Sequence, residues 1–192
     1  MQIYNTILQT GILQGYNLLV IDLTNCKLSR IKKQDLKNMI TARLQLETCA
    51  FFLIKLNKHN LEDKFCCKNL EIIKEYNYHV VIETVYTNVV NLATILPYAQ
   101  TLIMRLSINN QEHFHKEYLE YHRLLFLLET RNSNLEIELD LPLELLEDRS
   151  FLTFLGECQE KVSTRVYVPS YTNAVQVLSR LFLRIRFLLK EF

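Results

Sequence analysis

Ala50-Phe51-Phe52-Leu53-Ile54-Lys55-Leu56 is an apolar run that a single lysine interrupts. A strand with one wet face alternates apolar and polar residues, whereas a strand covered on both faces by crossover helices reads as an almost unbroken apolar run. The same kind of run precedes it at Asn17-Leu18-Leu19-Val20-Ile21-Asp22-Leu23. It returns at His79-Val80-Val81-Ile82-Glu83-Thr84, Thr101-Leu102-Ile103-Met104-Arg105-Leu106, Leu135-Glu136-Ile137-Glu138-Leu139-Asp140 and Thr164-Arg165-Val166-Tyr167-Val168. Successive starts are about one βα unit apart, and a stretch that reads as helix follows each run. With no Asn-Gly hairpin signal, the pattern predicts an α/β fold: a partial (βα)6 barrel of parallel strands with outer helices, or alternatively an open doubly wound parallel sheet.

The 192 residues suffice for one buried core, and only three Gly and three Pro interrupt them. A single (βα)6-type domain over residues 1–192 is expected, with residues 1–16 as a short helix or arm whose exit Gly11 and Gly15 bracket. Scarce glycine speaks against phosphate-cradling loops. The net charge of +1, with both signs interleaved, is a poor footprint for nucleic acid. The local basic clusters at Lys27–Lys37 and Arg180–Lys190 read as solvated helix faces or ends. No apolar run reaches the roughly 18 residues of a membrane span, and Met1-Gln2-Ile3-Tyr4-Asn5 has no basic leader, so a soluble cytoplasmic protein is expected. The five cysteines read as free thiols.

Helical spacing places a first crossover helix at Lys33–Leu46 and a second from about Leu61 or Lys68 to Tyr76. A third runs from Asn88 to about Leu96, capped by a Thr and Asn cluster and stopped before Pro97. Gln111–Glu129 is the longest, with Phe114, Tyr118, Tyr121, Leu125 and Leu128 at intervals of three and four. Leu145–Cys158 and an amphipathic closing helix over Asn173–Leu189 complete the series.

From Asn69 to Leu143 the chain resembles the radical S-adenosylmethionine superfamily, and within it the activating enzymes of glycyl-radical proteins. Leu70-Glu71-Ile72-Ile73-Lys74-Glu75-Tyr76-Asn77-Tyr78-His79-Val80-Val81-Ile82-Glu83-Thr84 is similar to that family's helix, Gly-Tyr-His-Val turn and Glu-Thr strand end. Asn91-Leu92-Ala93-Thr94-Ile95-Leu96-Pro97-Tyr98-Ala99 resembles its Leu-Pro-Tyr-Val segment. Asn110-Gln111-Glu112-His113-Phe114-His115-Lys116 lies where the family has Met-Asp-x-Glu-x-His-Lys, and Glu138-Leu139-Asp140-Leu141-Pro142-Leu143 where it ends a strand in Arg-x-Pro-Leu-Ile-Pro. The resemblance implies the (βα)6 partial barrel.

The departures concern chemistry. The family's Cys-x3-Cys-x2-Cys cluster motif should follow the first strand, where this chain has Asn25-Cys26-Lys27-Leu28-Ser29-Arg30; one thiolate cannot hold a cluster that needs about three or four. The cofactor-binding Gly-Gly-Glu is replaced by Leu56-Asn57-Lys58. The strand-four Asp and Lys are Arg105 and Ser107, and the strand-five Arg is Glu138 or Asp140. Glu83 and Thr84 alone match the family at ligand-facing positions.

The candidate pocket is the set of strand-end residues Asp22, Lys55, Glu83, Thr84, Arg105, Glu138 and Asp140, which a barrel would bring to one mouth. Their opposite charges are expected to neutralise one another. No metal and no cofactor is expected. The cysteines lack zinc-ligand spacing, and of His113, His115 and His122 only the last two share a helix face. No Gly-x-Ser-x-Gly elbow exists. The expectation is a catalytically inactive scaffold that acts by binding another protein, an active paralogue or a glycyl-radical-type enzyme, with no nucleic acid and no membrane span. The alternative is a small-molecule enzyme or sensor at the charged mouth, with Lys55 as cation or nucleophile and Glu83 or Asp140 as general base.

Overall fold

The computed structural model describes residues 8–13, 16–130, 132–139 and 145–167. The chain is α/β, with parallel strands and flanking helices as expected, and it divides into two compact units, Met1–Leu102 and Ile103–Phe192.

In the first unit, strand β1 (Leu8–Leu13) runs antiparallel to β2 (Tyr16–Asp22), with Leu13 opposite Tyr16 and Leu8 opposite Ile21. The opening segment is therefore a hairpin strand over Leu8–Leu13 and not a helix. Only Gln14 and Gly15 separate the paired Leu13 and Tyr16, and a two-residue connection containing glycine is itself a hairpin signal. Pairing with β1 also occupies an edge of β2 that would otherwise present bare N–H and C=O groups.

Strands β2, β3 (Phe51–Lys55) and β4 (His79–Val85) are parallel neighbours in chain order. Right-handed crossovers that step always in one direction lay their helices on one face of the sheet. Helix α1 (Lys33–Leu46) buries Leu36 and Ile40. Where one second helix was expected there are two, α2 (Lys58–Glu62) and α3 (Cys66–Lys74). They part at Asp63, whose carboxylate accepts the Phe65 N–H at 2.9 Å and so offers the backbone a turn in place of a continued helix. Asn77, at φ 54°, ends this crossover; asparagine tolerates the left-handed conformation that most residues avoid. Tyr76 donates its hydroxyl to the Lys37 carbonyl at 2.8 Å, and Lys33 and Lys37 both reach Glu75, so α1 and the end of α3 are fastened together. Helix α4 (Val89–Ile95) begins at the Asn88 cap and buries Leu92 and Ile95.

One face of this sheet is fully covered: Leu19, Ile21, Phe52, Ile54, Val80, Ile82 and Thr84 are all buried. The alternate residues are covered less evenly. Leu18, Leu53 and Val81 are buried, but Val20, Phe51, Asp22, Lys55 and Glu83 are half-buried and His79 is exposed.

The unit boundary falls within β5 (Thr101–Ile108). The second unit continues through helix α5 (Gln111–Glu129), β6 (Asn132–Leu139), helix α6 (Arg149–Lys161) and β7 (Ser163–Tyr167), with β6 and β7 parallel. Helix α6 starts later than the expected Leu145 because Asp148 caps it, accepting the N–H groups of Ser150 and Phe151. Phe114 on α5 is the hub of an aromatic cluster with Tyr118 and Tyr121 of its own helix and Phe151 and Phe154 of α6. The strands here are one-sided. Leu102, Met104, Leu106 and Ile108 of β5 and Leu135, Ile137 and Leu139 of β6 are buried, while Arg105, Ser107, Arg165 and Tyr167 between buried or half-buried neighbours are exposed.

The expected closing helix over residues 173–189 lies outside the described residues. No helix among the described residues is long and apolar enough to cross a membrane.

Candidate functional site

The strand-end candidates fall into two groups, one in each unit. In the first, the strand registers put Asp22, Lys55 and Glu83 in one row, acid, base, acid, at the carboxyl ends of β2, β3 and β4. In-register residues of parallel strands project from the same face, so the three charges are neighbours by construction. Lys55 Nζ lies 3.8 Å from Glu83 Oε2. Asp22 turns to its own chain, its Oδ1 accepting the Thr24 hydroxyl at 2.6 Å and the Thr24 N–H at 3.0 Å. Thr84 follows Glu83 and therefore points to the opposite, covered face, where its hydroxyl is buried with no hydrogen-bond partner among the described residues.

The loop after β2, where the resemblance would place an iron–sulfur cluster, is held by asparagines. Asn57 and Asn60 form a reciprocal cap at the start of α2, each side-chain oxygen accepting the other's N–H at 2.9 Å. The Asn57 amide donates to the Thr24 carbonyl, and the buried Asn60 amide donates to the Cys26 carbonyl at 3.5 Å. The Cys26 thiol is 3.8 Å from the Asp22 carbonyl. Burial, aided by the Asp22 charge, pushes this thiol's pKa upward, which disfavours the thiolate that ligates metal. One raised thiol in a loop braced by amides does not fit a cluster. Among the described residues no three His, Cys, Asp or Glu side chains gather as a metal site requires.

The other cysteines are free thiols. Burial pushes Cys66 up to about 12 and raises Cys158 as well. His115 and His122, on one face of α5, both reach carboxylates of the α6 segment: His115 Nε2 is 2.6 Å from Asp148 Oδ2, and His122 Nδ1 is 3.4 Å from Glu157 Oε2. They join helices and do not form a metal pair.

In the second unit, Arg105 and Glu138 line a pocket of about 380 Å³ together with Glu136 and Tyr167. Glu136 is the residue around which it is organised. Its Oε2 is 3.5 Å from Arg105 Nη2, and its Oε1 accepts the Tyr167 hydroxyl at 3.5 Å. The β6–β7 register sets Glu136 beside Arg165 and Glu138 beside Tyr167. Asp140 lies outside the described residues. Glu136 and Tyr167 were not among the sequence candidates. The signal is strict alternation, in Leu135-Glu136-Ile137-Glu138-Leu139 for Glu136 and in Thr164-Arg165-Val166-Tyr167 for Tyr167, which marks strands with one open face.

No family model matches the chain, and neither a curated protein nor a solved structure gives a significant match.

Proposed function

We propose that this chain is a catalytically inactive, radical-enzyme-like scaffold that works by binding another protein. The observation that carries the reading is the row Asp22, Lys55, Glu83: the cation sits between two acids, Lys55 and Glu83 pair with each other, and Asp22 accepts the Thr24 hydroxyl. The amide-braced loop at Cys26 supports it, because that loop keeps its shape through Asn57 and Asn60 with no need of a cluster. By analogy with the resembled family, the partner is an active paralogue or a glycyl-radical-type enzyme.

The test is an anaerobic pull-down of the tagged chain from its native source, read by mass spectrometry against a tagged control. One stoichiometric partner that is a radical enzyme or its activase is the expected result. Recovery of the chain alone would count against the reading.

The second reading, a small-molecule enzyme or sensor, has one observation in its favour, the pocket at Arg105, Glu136, Glu138 and Tyr167. Its volume lies at the small end of the roughly 300–1,000 Å³ range of ligand sites.

A further inference from the structure

We propose that the pocket lined by Arg105, Glu136, Glu138 and Tyr167 binds a small organic cation, an ammonium or guanidinium group, between the Glu138 carboxylate and the Tyr167 ring. The inference goes beyond both readings above, since it needs neither a partner protein nor a reaction.

The charges in this pocket are not equivalent. Glu136 is engaged on two sides, by Arg105 and by the Tyr167 hydroxyl, and Arg165 is its in-register neighbour on β7. Glu138, one step further along the same face of β6, makes no hydrogen bond or ion pair with the described residues. Its in-register neighbour is Tyr167, a residue 44% exposed. Paired strands run about 4.8 Å apart, so a carboxylate and an aromatic ring stand side by side at the pocket wall. A cation placed there meets a full negative charge and the negative face of a π-system together. Among the described lining residues Arg105 is already paired with Glu136, which leaves the Glu138 carboxylate as the charge without a described partner.

Other ligand classes fit less well. An anion would have to displace Glu136 from Arg105 and then sit beside two carboxylates. A neutral apolar molecule would leave Glu138 to be desolvated without compensation, which costs free energy. The pocket's volume accommodates one small amine or guanidine and excludes a large cofactor.

The experiment is calorimetric titration of the full chain with putrescine, tetramethylammonium and arginine amide, with acetate and inorganic phosphate as anion controls at matched ionic strength. Saturable binding of at least one cation and no binding of either anion is expected. Glu138→Gln should weaken cation binding about tenfold or more, and Tyr167→Leu severalfold, with the largest loss for tetramethylammonium; Tyr167→Phe, which keeps the ring, should bind nearly as wild type. Thermal melts of each variant establish that it is folded. The proposal is overturned if no cation binds saturably, if Glu138→Gln binds as wild type, or if phosphate binds in preference.

Discussion

His115 Nε2 lies 2.6 Å from Oδ2 of Asp148, so one carboxylate caps α6 through Oδ1 and holds α5 through Oδ2. The Asp148 side chain is only 4% exposed while the imidazole is about half exposed, so the acid is the anchored partner. Burial acts to raise the Asp148 carboxyl. It is outweighed by the hydrogen bonds from the Phe151 N–H and the Gln111 side chain, the His115 charge and the Ser150 N–H, and the net shift is downward.

A lowered folded pKa means that the unfolded chain takes up this proton first. The stabilisation is therefore complete above the unfolded value of about 3.9 and is lost as pH falls through the lower folded value. Asp148→Ala should cost about 1–2 kcal/mol at neutral pH through loss of the cap. Asp148→Asn should show a lower Tm at pH 7 and a shallower loss of Tm on acidification than wild type. Thermal melts from pH 7 into the acid range check both.

Reversing the middle charge of the β2–β3–β4 row, Lys55→Glu, would place three acids side by side. Like charges directly opposite one another on adjacent strands destabilise by up to about 1 kcal/mol. The Lys55→Glu, Glu83→Lys double variant should recover part of the loss, and added salt should narrow the difference between single variant and wild type. Melts at low and high ionic strength read this coupling directly.

Thr84 buries a hydroxyl that no described residue satisfies. Thr84→Val removes that group with little change of shape, and an unmet buried hydroxyl costs about 1–3 kcal/mol. The substitution should leave Tm unchanged or raise it. A clear fall would show that the hydroxyl has a partner in solution.

Cys66 and Cys158 are almost fully buried, and burial raises both thiols. Both should resist a thiol-specific disulfide reagent in the native state and react at the unfolding rate in denaturant, with Cys67 and Cys49, which are only half-buried, reacting earlier. Mass mapping of the modified peptides distinguishes the five positions.

Strand positions were legible in the sequence because short apolar runs between helical stretches have few alternative readings. All six runs overlap strands, and Lys33–Leu46 and Gln111–Glu129 match their expected helices to the residue. What was missed lies in two kinds of signal. The hairpin at Leu8–Leu13 depends on a glycine in a two-residue connection, and the α2–α3 break depends on a single Asp63 side chain competing with the helix. Both are local polar effects that hydrophobic periodicity does not carry. The site was half legible. Charge at strand ends pointed to Asp22, Lys55, Glu83, Arg105 and Glu138. Reading β6 and β7 like the near-continuously apolar runs conceals their open faces, and with them Glu136 and Tyr167. Thr84 enters the candidate set through the resemblance to the family's Glu-Thr strand end, yet neighbouring strand residues face opposite ways and its side chain lies on the covered face.

We propose that amide bracing of the Cys26 loop and internal pairing in the Asp22–Lys55–Glu83 row stand where the radical enzymes that the sequence resembles carry cluster and cofactor chemistry. The deciding measurement is anaerobic reconstitution of the full chain with iron and sulfide, followed by absorption and electron paramagnetic resonance spectra and assay of S-adenosylmethionine cleavage. No stoichiometric four-iron cluster and no cleavage are expected, with melting unchanged by the treatment. A site-differentiated cluster that cleaves the cofactor would contradict this proposal.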